Sequence, residues 1–240
     1  MIDTDGPQQP GTRRPIAPIA HTVALIAIIL AIAGYGAYLQ RNAGPGTQLV
    51  EHRSSQLALY LGLIAAEWGL FRFALVGLKK SGTRLRDAIG QRWATWKDVA
   101  RDAVLAIIVW GAWTGAETLV SRVLGPDSAK GISTLLPRGP AEIGAWVALS
   151  ISAGICEEVV FRGYLQQQFR ALSGSVAIAI TAQAIVFGVG HGYQGVRNTI
   201  VIAVFGGVYG CLAHWRRSLR PGMILHAWTD VVSGILSGRG

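Results

Sequence analysis

Seven apolar stretches, at about 19–40, 57–78, 103–121, 141–169, 175–192, 196–214 and 221–237, leave this chain little choice but to fold inside a bilayer. Several approach the roughly 20 residues a helix needs to cross the hydrocarbon core. With 51% hydrophobic and only 15% charged residues, the chain is too apolar for an ordinary soluble domain. The expected fold is all-α: a polytopic transmembrane helical bundle of about seven transmembrane helices. From Pro15 to Gln40 there is no formal charge if His21 is neutral, and the exit at Gln40-Arg41-Asn42 has no small-residue cleavage site. The first stretch therefore reads as a retained helix, not a cleaved signal.

A formal net charge of +9 would suit nucleic acid, yet the basic residues sit mostly in loops between apolar stretches. The preference of Lys and Arg for the cytoplasmic side explains them there, so no nucleic-acid partner is expected. The largest cluster is Lys79, Lys80, Arg84, Arg86, Arg92, Lys97 and Arg101. With this loop inside and seven spans, Arg13, Arg14, Arg170, Arg216, Arg217 and Arg220 also fall inside. Arg41, Arg53, Arg122, Lys130, Arg138, Arg197 and Arg239 fall outside. The bias predicts a multi-pass protein of the cell membrane with its N-terminus in the cytoplasm.

Residues 1–17 carry Pro7, Pro10 and Pro15 with Gly6 and Gly11, and read as a disordered cytoplasmic tail. Residues 18–124 form the N-terminal transmembrane helices. Within them, Leu85, Ile89, Trp93 and Trp96 recur at helical spacing among basic groups, which predicts an amphipathic interfacial helix at about 79–101. Breakers between Gly125 and Pro140 separate this half from a four-helix core at 141–237. Cys156 and Cys211 stand singly within apolar stretches, implying neither a disulfide nor a paired metal site.

Ionisable groups in such segments cost about 2.5–3.5 kcal/mol each on insertion scales, and they usually mark function. Cys156-Glu157-Glu158 leads to Arg162. In a regular helix from Glu142 to Phe169, Glu158 and Arg162 are i,i+4 neighbours in the order that favours an ion pair. Glu157 then points about 100° away, free to act as a general base. The competing reading makes both acids interhelical glue for Arg162. Phe187 and His191 share a face between flanking glycines, and histidine suits proton transfer, metal ligation or oxyanion stabilisation; a plain interfacial histidine is the alternative. His226 and Asp230 are again i,i+4, a carboxylate that can orient an imidazole or simply satisfy it. Groups like these in lipid must find one another. Gathered, they make a water-holding pocket suited to hydrolysis of an acyl or peptide bond. Glu67, Arg72 and Glu117 read first as packing residues and second as the lining of a substrate path. Gln183 lies near the face of His191, and Cys156 reads as a small buried side chain.

Glu-Glu-x-x-x-Arg from 157, Phe-x-x-x-His at 187–191 and His-x-x-x-Asp at 226–230 together resemble the three motifs of the CPBP family of intramembrane proteases, which includes the CAAX prenyl endopeptidases. The resemblance implies an endopeptidase acting on a membrane-anchored protein or peptide. In it Glu157 activates the attacking water with His191 as partner, and His226 with Asp230 stabilises the oxyanion; Glu158, Arg162 and Phe187 support them. Eukaryotic prenyl proteases carry asparagine where this chain has Asp230, and an aspartate donates poorly unless protonated. Glu157, His191 and His226 are residue types that ligate zinc with a water in the open position. There is no His-Glu-x-x-His, so a metal-free glutamate mechanism with no required cofactor is preferred over zinc. Two other classes compete: a non-proteolytic membrane scaffold or immunity protein of the same fold, and a proton-coupled transporter, against which the lack of inverted repeats counts. Seven full spans would leave His191 near the outer end of its helix and His226 near the inner end of its own, so some helices must be tilted, re-entrant or shorter than drawn.

Overall fold

The computed structural model describes residues 14–42, 53–124 and 136–237. The helices are α1 (Ile19–Asn42), α2 (Arg53–Lys80), α3 (Leu85–Ile89), α4 (Trp96–Leu124), α5 (Pro140–Glu157), α6 (Gln167–Ser173), α7 (Val176–Gly190), α8 (Val196–Arg216) and α9 (Arg220–Ser237). Five helical stretches are long and apolar enough to cross a membrane: Ile19–Asn42, Gln56–Lys80, Trp96–Leu119, Pro140–Ser173 and Val196–Arg216. The molecule is an all-α bundle and a multi-pass membrane protein. The fifth and seventh expected spans are shorter, 15 residues in α7 and 18 in α9.

The longest of these stretches is the 34-residue run from Pro140 to Ser173, which forms the spine of the site. It starts where Pro140 occupies the first turn, the position at which a missing N–H costs nothing. The Glu142 carboxylate accepts the Arg138 N–H at 2.7 Å, satisfying a donor at that start. It stops at Gly174, whose left-handed φ of 70° closes the C-terminus. Ser175 then caps α7 by accepting the Ile178 N–H at 3.3 Å, so the chain reverses in a tight hairpin.

The expected uniform α-helix over this stretch does not hold. Glu158–Gln166 is π-helical, and every side chain in it is buried. Such segments are rare and concentrate at functional sites. Polar side chains of the widened turns and the turn that follows reach backbone carbonyls on all sides. Gln166 Nε2 donates to Gly210 O at 3.0 Å, and Gln167 Nε2 to Ala88 O at 3.0 Å. Tyr164 Oη lies 3.0 Å from both His21 Nδ1 and Thr22 Oγ1, docking α1 onto the segment. Leu25, Leu78, Phe161, Leu165 and Phe187 fill the space around it.

The segment 79–101 is not one interfacial helix. Gly82 (φ 74°) and Gly90 (φ 85°) adopt left-handed backbone that interrupts it, leaving only α3 between them. Gly90 pairs with Ser218 as an isolated bridge, held by Gln91 N–H to Arg217 O at 2.9 Å and Leu219 N–H to Ile89 O at 2.9 Å. Trp93 turns inward, its indole donating to Asp102 at 2.9 Å, while Trp96 stays 74% exposed at the start of α4. Of the expected tail, residues 1–13 lie outside the described residues, but Ile16 and Ala17 are tied down. Both backbone N–H groups donate to Gln168 Oε1, at 2.9 and 3.2 Å, and Gln168 Nε2 returns a bond to Ala17 O at 2.8 Å. The breaker-rich loop falls outside the described residues except for 136–139.

The opposed ends of His191 and His226 are reconciled by short and re-entrant elements. At 15 residues, α7 is only about 22 Å long, so its C-terminus stops level with Glu157. The start of α9 packs against the π-helical segment, with Leu219 lying against Gly163. Close approach completes the arrangement: a Cβ on Gly154 would lie 2.8 Å from Met223 O and 2.9 Å from Ala227 N. Gly154→Val is expected to cost about 1–3 kcal/mol by overpacking, seen as a lower unfolding temperature in detergent. An unchanged unfolding temperature would mean that α5 and α9 are free to separate.

Candidate active site

Three segments far apart in sequence converge on one cavity of about 500 Å³. Glu157, at the junction of α5 with the π-helical segment, places Oε1 4.0 Å from His191 Nε2 and Oε2 3.6 Å from His226 Nε2. Asp230 Oδ2 lies 3.6 Å from the same His226 nitrogen. On its other side, His226 Nδ1 is 3.2 Å from Glu158 Oε1, which in turn lies 3.0 Å from Arg162 Nη1. Glu158 and Arg162 are wholly buried, whereas the Glu157 and His191 side chains are each 20% exposed and open to the cavity.

The protons can be placed from the partners. His191 Nδ1 is 2.9 Å from Phe187 O, and a carbonyl only accepts, so Nδ1 carries hydrogen. In a neutral ring the bare lone pair of Nε2 then faces Glu157. Two acceptors 4.0 Å apart leave room for one water about 2.8 Å from each, donating a hydrogen to both. For His226, Nδ1 donates to the Glu158 carboxylate, and Nε2 faces Glu157 and Asp230. A doubly protonated ring would answer all three carboxylates.

Arg162 organises the support. Its Nη2 donates to Gly206 O at 3.2 Å, and its guanidinium lies 4.4 Å from the Phe187 ring and 5.1 Å from that of Tyr209. Such cation–π contacts strengthen when desolvated. Phe187 thus sits between the guanidinium and the cavity, its ring centroid 4.8 Å from that of His191. Tyr209 stacks on His226 with centroids 5.4 Å apart, fixing the plane of the imidazole. Gly222 leaves room beneath: a Cβ there would come within 2.8 Å of Glu158 Oε2. Gly222→Ala is expected to displace Glu158 and lower activity by at least about tenfold with little loss of secondary structure, measured by peptide turnover and circular dichroism.

Of the other sequence candidates, Glu67 and Glu117 line the cavity, and Glu67 Oε2 is buried without a hydrogen-bond partner. Arg72 does not line it. Cys156 does, at 1% exposure. Gln183 turns instead to α8, donating to Gly206 O at 2.8 Å. Sequence reasoning missed Tyr209, Tyr193 and the Trp146 indole, which donates to Asp230 O at 2.9 Å and holds α9 to α5. Burial pushes the Tyr193 phenol up, so it lines the cavity as a neutral hydroxyl. No residue pattern marks these three.

Glu157, His191 and His226 are the zinc candidates of the sequence. Among the described residues, no group of three or more His, Cys, Asp or Glu side chains is placed to hold an ion. Both nitrogens of His226 already face carboxylates.

A family model, type II CAAX prenyl endopeptidase Rce1-like, matches residues 139–232. That stretch holds every residue of the constellation. Over that stretch the chain matches the CAAX protease family. At family level the match supports a CAAX-type intramembrane endopeptidase, a hydrolase acting on peptide bonds in a membrane setting. The matched stretch does not include α1, α2 or α4, so Glu67 and Glu117 line the cavity from outside it. No curated protein and no solved structure matches the chain.

Proposed function

We propose that this chain hydrolyses a peptide bond of a membrane-associated protein or peptide by glutamate-activated water attack. The observation that carries the reading is the 4.0 Å gap between Glu157 Oε1 and the lone-pair nitrogen of His191, sized for one water and open to the cavity. Water between them loses a proton to Glu157 as its oxygen attacks the scissile carbonyl carbon. The carbonyl oxygen becomes an oxyanion that His226 Nε2–H meets, with Asp230 holding the ring in place. The proton held by Glu157 then passes to the leaving nitrogen as the C–N bond breaks, releasing a free amine and a carboxylate. Glu158 and Arg162 hold His226 from behind and touch no reacting atom. The N-terminus in the cytoplasm belongs to the same proposal.

Comparative proteomics of membranes from cells carrying the native chain or His191→Ala tests it. Uncut substrate should accumulate with the variant and its cleaved product should vanish. Identical peptide profiles, with both proteins present at equal level, would instead favour a non-proteolytic scaffold or immunity role. Because no step of this reading uses a metal, turnover by the purified protein should persist after dialysis against 1,10-phenanthroline. Abolition by the chelator, with recovery on added zinc, would refute the metal-free step. Asp230→Asn should keep activity within about tenfold, since an amide can still orient the imidazole, whereas Asp230→Ala should lose more.

A further inference from the structure

A second cavity, of about 560 Å³, opens at the opposite side of the π-helical segment and plays no part in the proposed reaction. It lies where α3, α6, the start of α7 and the 217–219 turn meet, at the end of the bundle where α2 stops and α4 and α9 begin. Its charged lining is basic: Arg14, Arg170, Arg217 and His214, with the buried Arg162 at its floor and Asp87 as the one acid. Three other arginines of this end are already engaged. Arg216 binds Asp102 at 2.8 Å, Arg101 reaches Asp98 and Asp102, and Arg220 donates to the carbonyls of Gly90 and Gln91. Arg14, Arg170 and Arg217 have no carboxylate within ion-pairing distance among the described residues.

Unpartnered donors in the lining point to an anionic ligand, and an unpartnered acceptor points to a hydroxyl on it. Arg162, 1% exposed, has its Nε without a hydrogen-bond partner, as has the buried Nε of Arg170. Gln166, 7% exposed, likewise leaves Oε1 without a donor. Arg217 holds a left-handed φ of 49°, unusual for a residue with a Cβ, pinned there by the bond from Gln91 N–H to its carbonyl. Strain of that kind persists where the surroundings impose it and clusters at ligand sites. The depth is marked by exposed tryptophans at the same end: Trp96 and Trp215 are 74% and 68% exposed, and indoles concentrate at the headgroup level. Ile16, Ile89, Val176 and Leu219 supply apolar wall beside the arginines.

We propose that this cavity binds the phosphodiester headgroup of an anionic membrane lipid. Arg170 and Arg217 meet the phosphate oxygens, and Gln166 Oε1 accepts from a headgroup hydroxyl such as that of phosphatidylglycerol. Basic pockets between membrane helices are built for such ligands, and each cation near the surface adds to the attraction. The site is separate from peptide hydrolysis, so its test needs no substrate.

Purified protein is equilibrated with vesicles of equal phosphatidylglycerol and phosphatidylcholine content, and the retained lipid is counted by native mass spectrometry. Phosphatidylglycerol should be retained about tenfold over phosphatidylcholine. Arg170→Gln with Arg217→Gln should bring the ratio to about one, while Arg92→Gln with Lys97→Gln, at the same end but outside the cavity, should leave it unchanged. If the first pair fails to fold, the native protein still decides the matter, because the preference should fall several-fold when salt is raised about tenfold. Equal retention of both lipids overturns the proposal. So does a preference that survives Arg170→Gln with Arg217→Gln, or one lost equally in the control pair. Stabilisation by inorganic phosphate without any lipid preference would assign the cavity to a soluble anion and overturn it too.

Discussion

Glu157→Gln is expected to abolish peptide cleavage while leaving the bundle folded. Glutamine keeps the size and the acceptor oxygen but cannot take the proton of an attacking water, so the general-base contribution, typically 10²–10⁴-fold, is lost outright. The fold should survive because Glu157 makes no contact that structure depends on. Its carboxylate is 20% exposed, and its nearest charged neighbours, at 3.6 and 4.0 Å, lie beyond hydrogen-bonding distance. Turnover of a membrane peptide by protein in detergent, together with an unfolding curve, separates the two effects. Activity within about tenfold of native would remove Glu157 from the role of base.

Arg162→Met should do the reverse, removing stability first and activity as a consequence. The guanidinium is 1% exposed, pairs with a Glu158 carboxylate that is 0% exposed, and bonds Gly206 O. Removing one partner of a buried pair strands the other charge, at a cost of about 3–5 kcal/mol, enough to unfold a marginal protein. Adding Glu158→Gln to Arg162→Met removes the stranded charge and should restore much of the unfolding temperature, since uncharged replacements of buried pairs are often tolerated. Activity should not return with it, because His226 Nδ1 loses the carboxylate that orients it at 3.2 Å. A double variant no more stable than Arg162→Met alone would show that the charge of Glu158 is satisfied without Arg162.

How far the sequence reached depended on the range of each interaction. The i,i+4 spacings survive as contacts: Glu158 with Arg162 at 3.0 Å and His226 with Asp230 at 3.6 Å. The apolar stretches also translate into helices, because burial of a continuous run needs no knowledge of its neighbours. What lay beyond reach was tertiary. Glu158 was read as the partner of Arg162 alone, yet it also holds His226, 68 residues away. Adjacent glutamates were expected to face different ways, and both instead touch that one imidazole. The π-helical turns carry no sequence period of their own, and the segment 79–101 shows why amphipathic spacing is weaker than it looks. Leu85, Ile89, Trp93 and Trp96 would line one helical face, but Gly82, Gly90 and a bridge to Ser218 decide otherwise. The cavity-facing Glu67 comes from α2, where its spacing from Arg72 favoured packing over the lining of a substrate path.

The shortness of α7 has a consequence for how water reaches the reaction. A helix of about 22 Å cannot match a hydrocarbon layer of about 30 Å. The mismatch is met by thinning the bilayer or by letting polar surface follow the helix end inward. The helix end in question is the one that carries His191. A bilayer thinned at that end would bring water to the candidate site, the second reactant that hydrolysis in oil would otherwise lack.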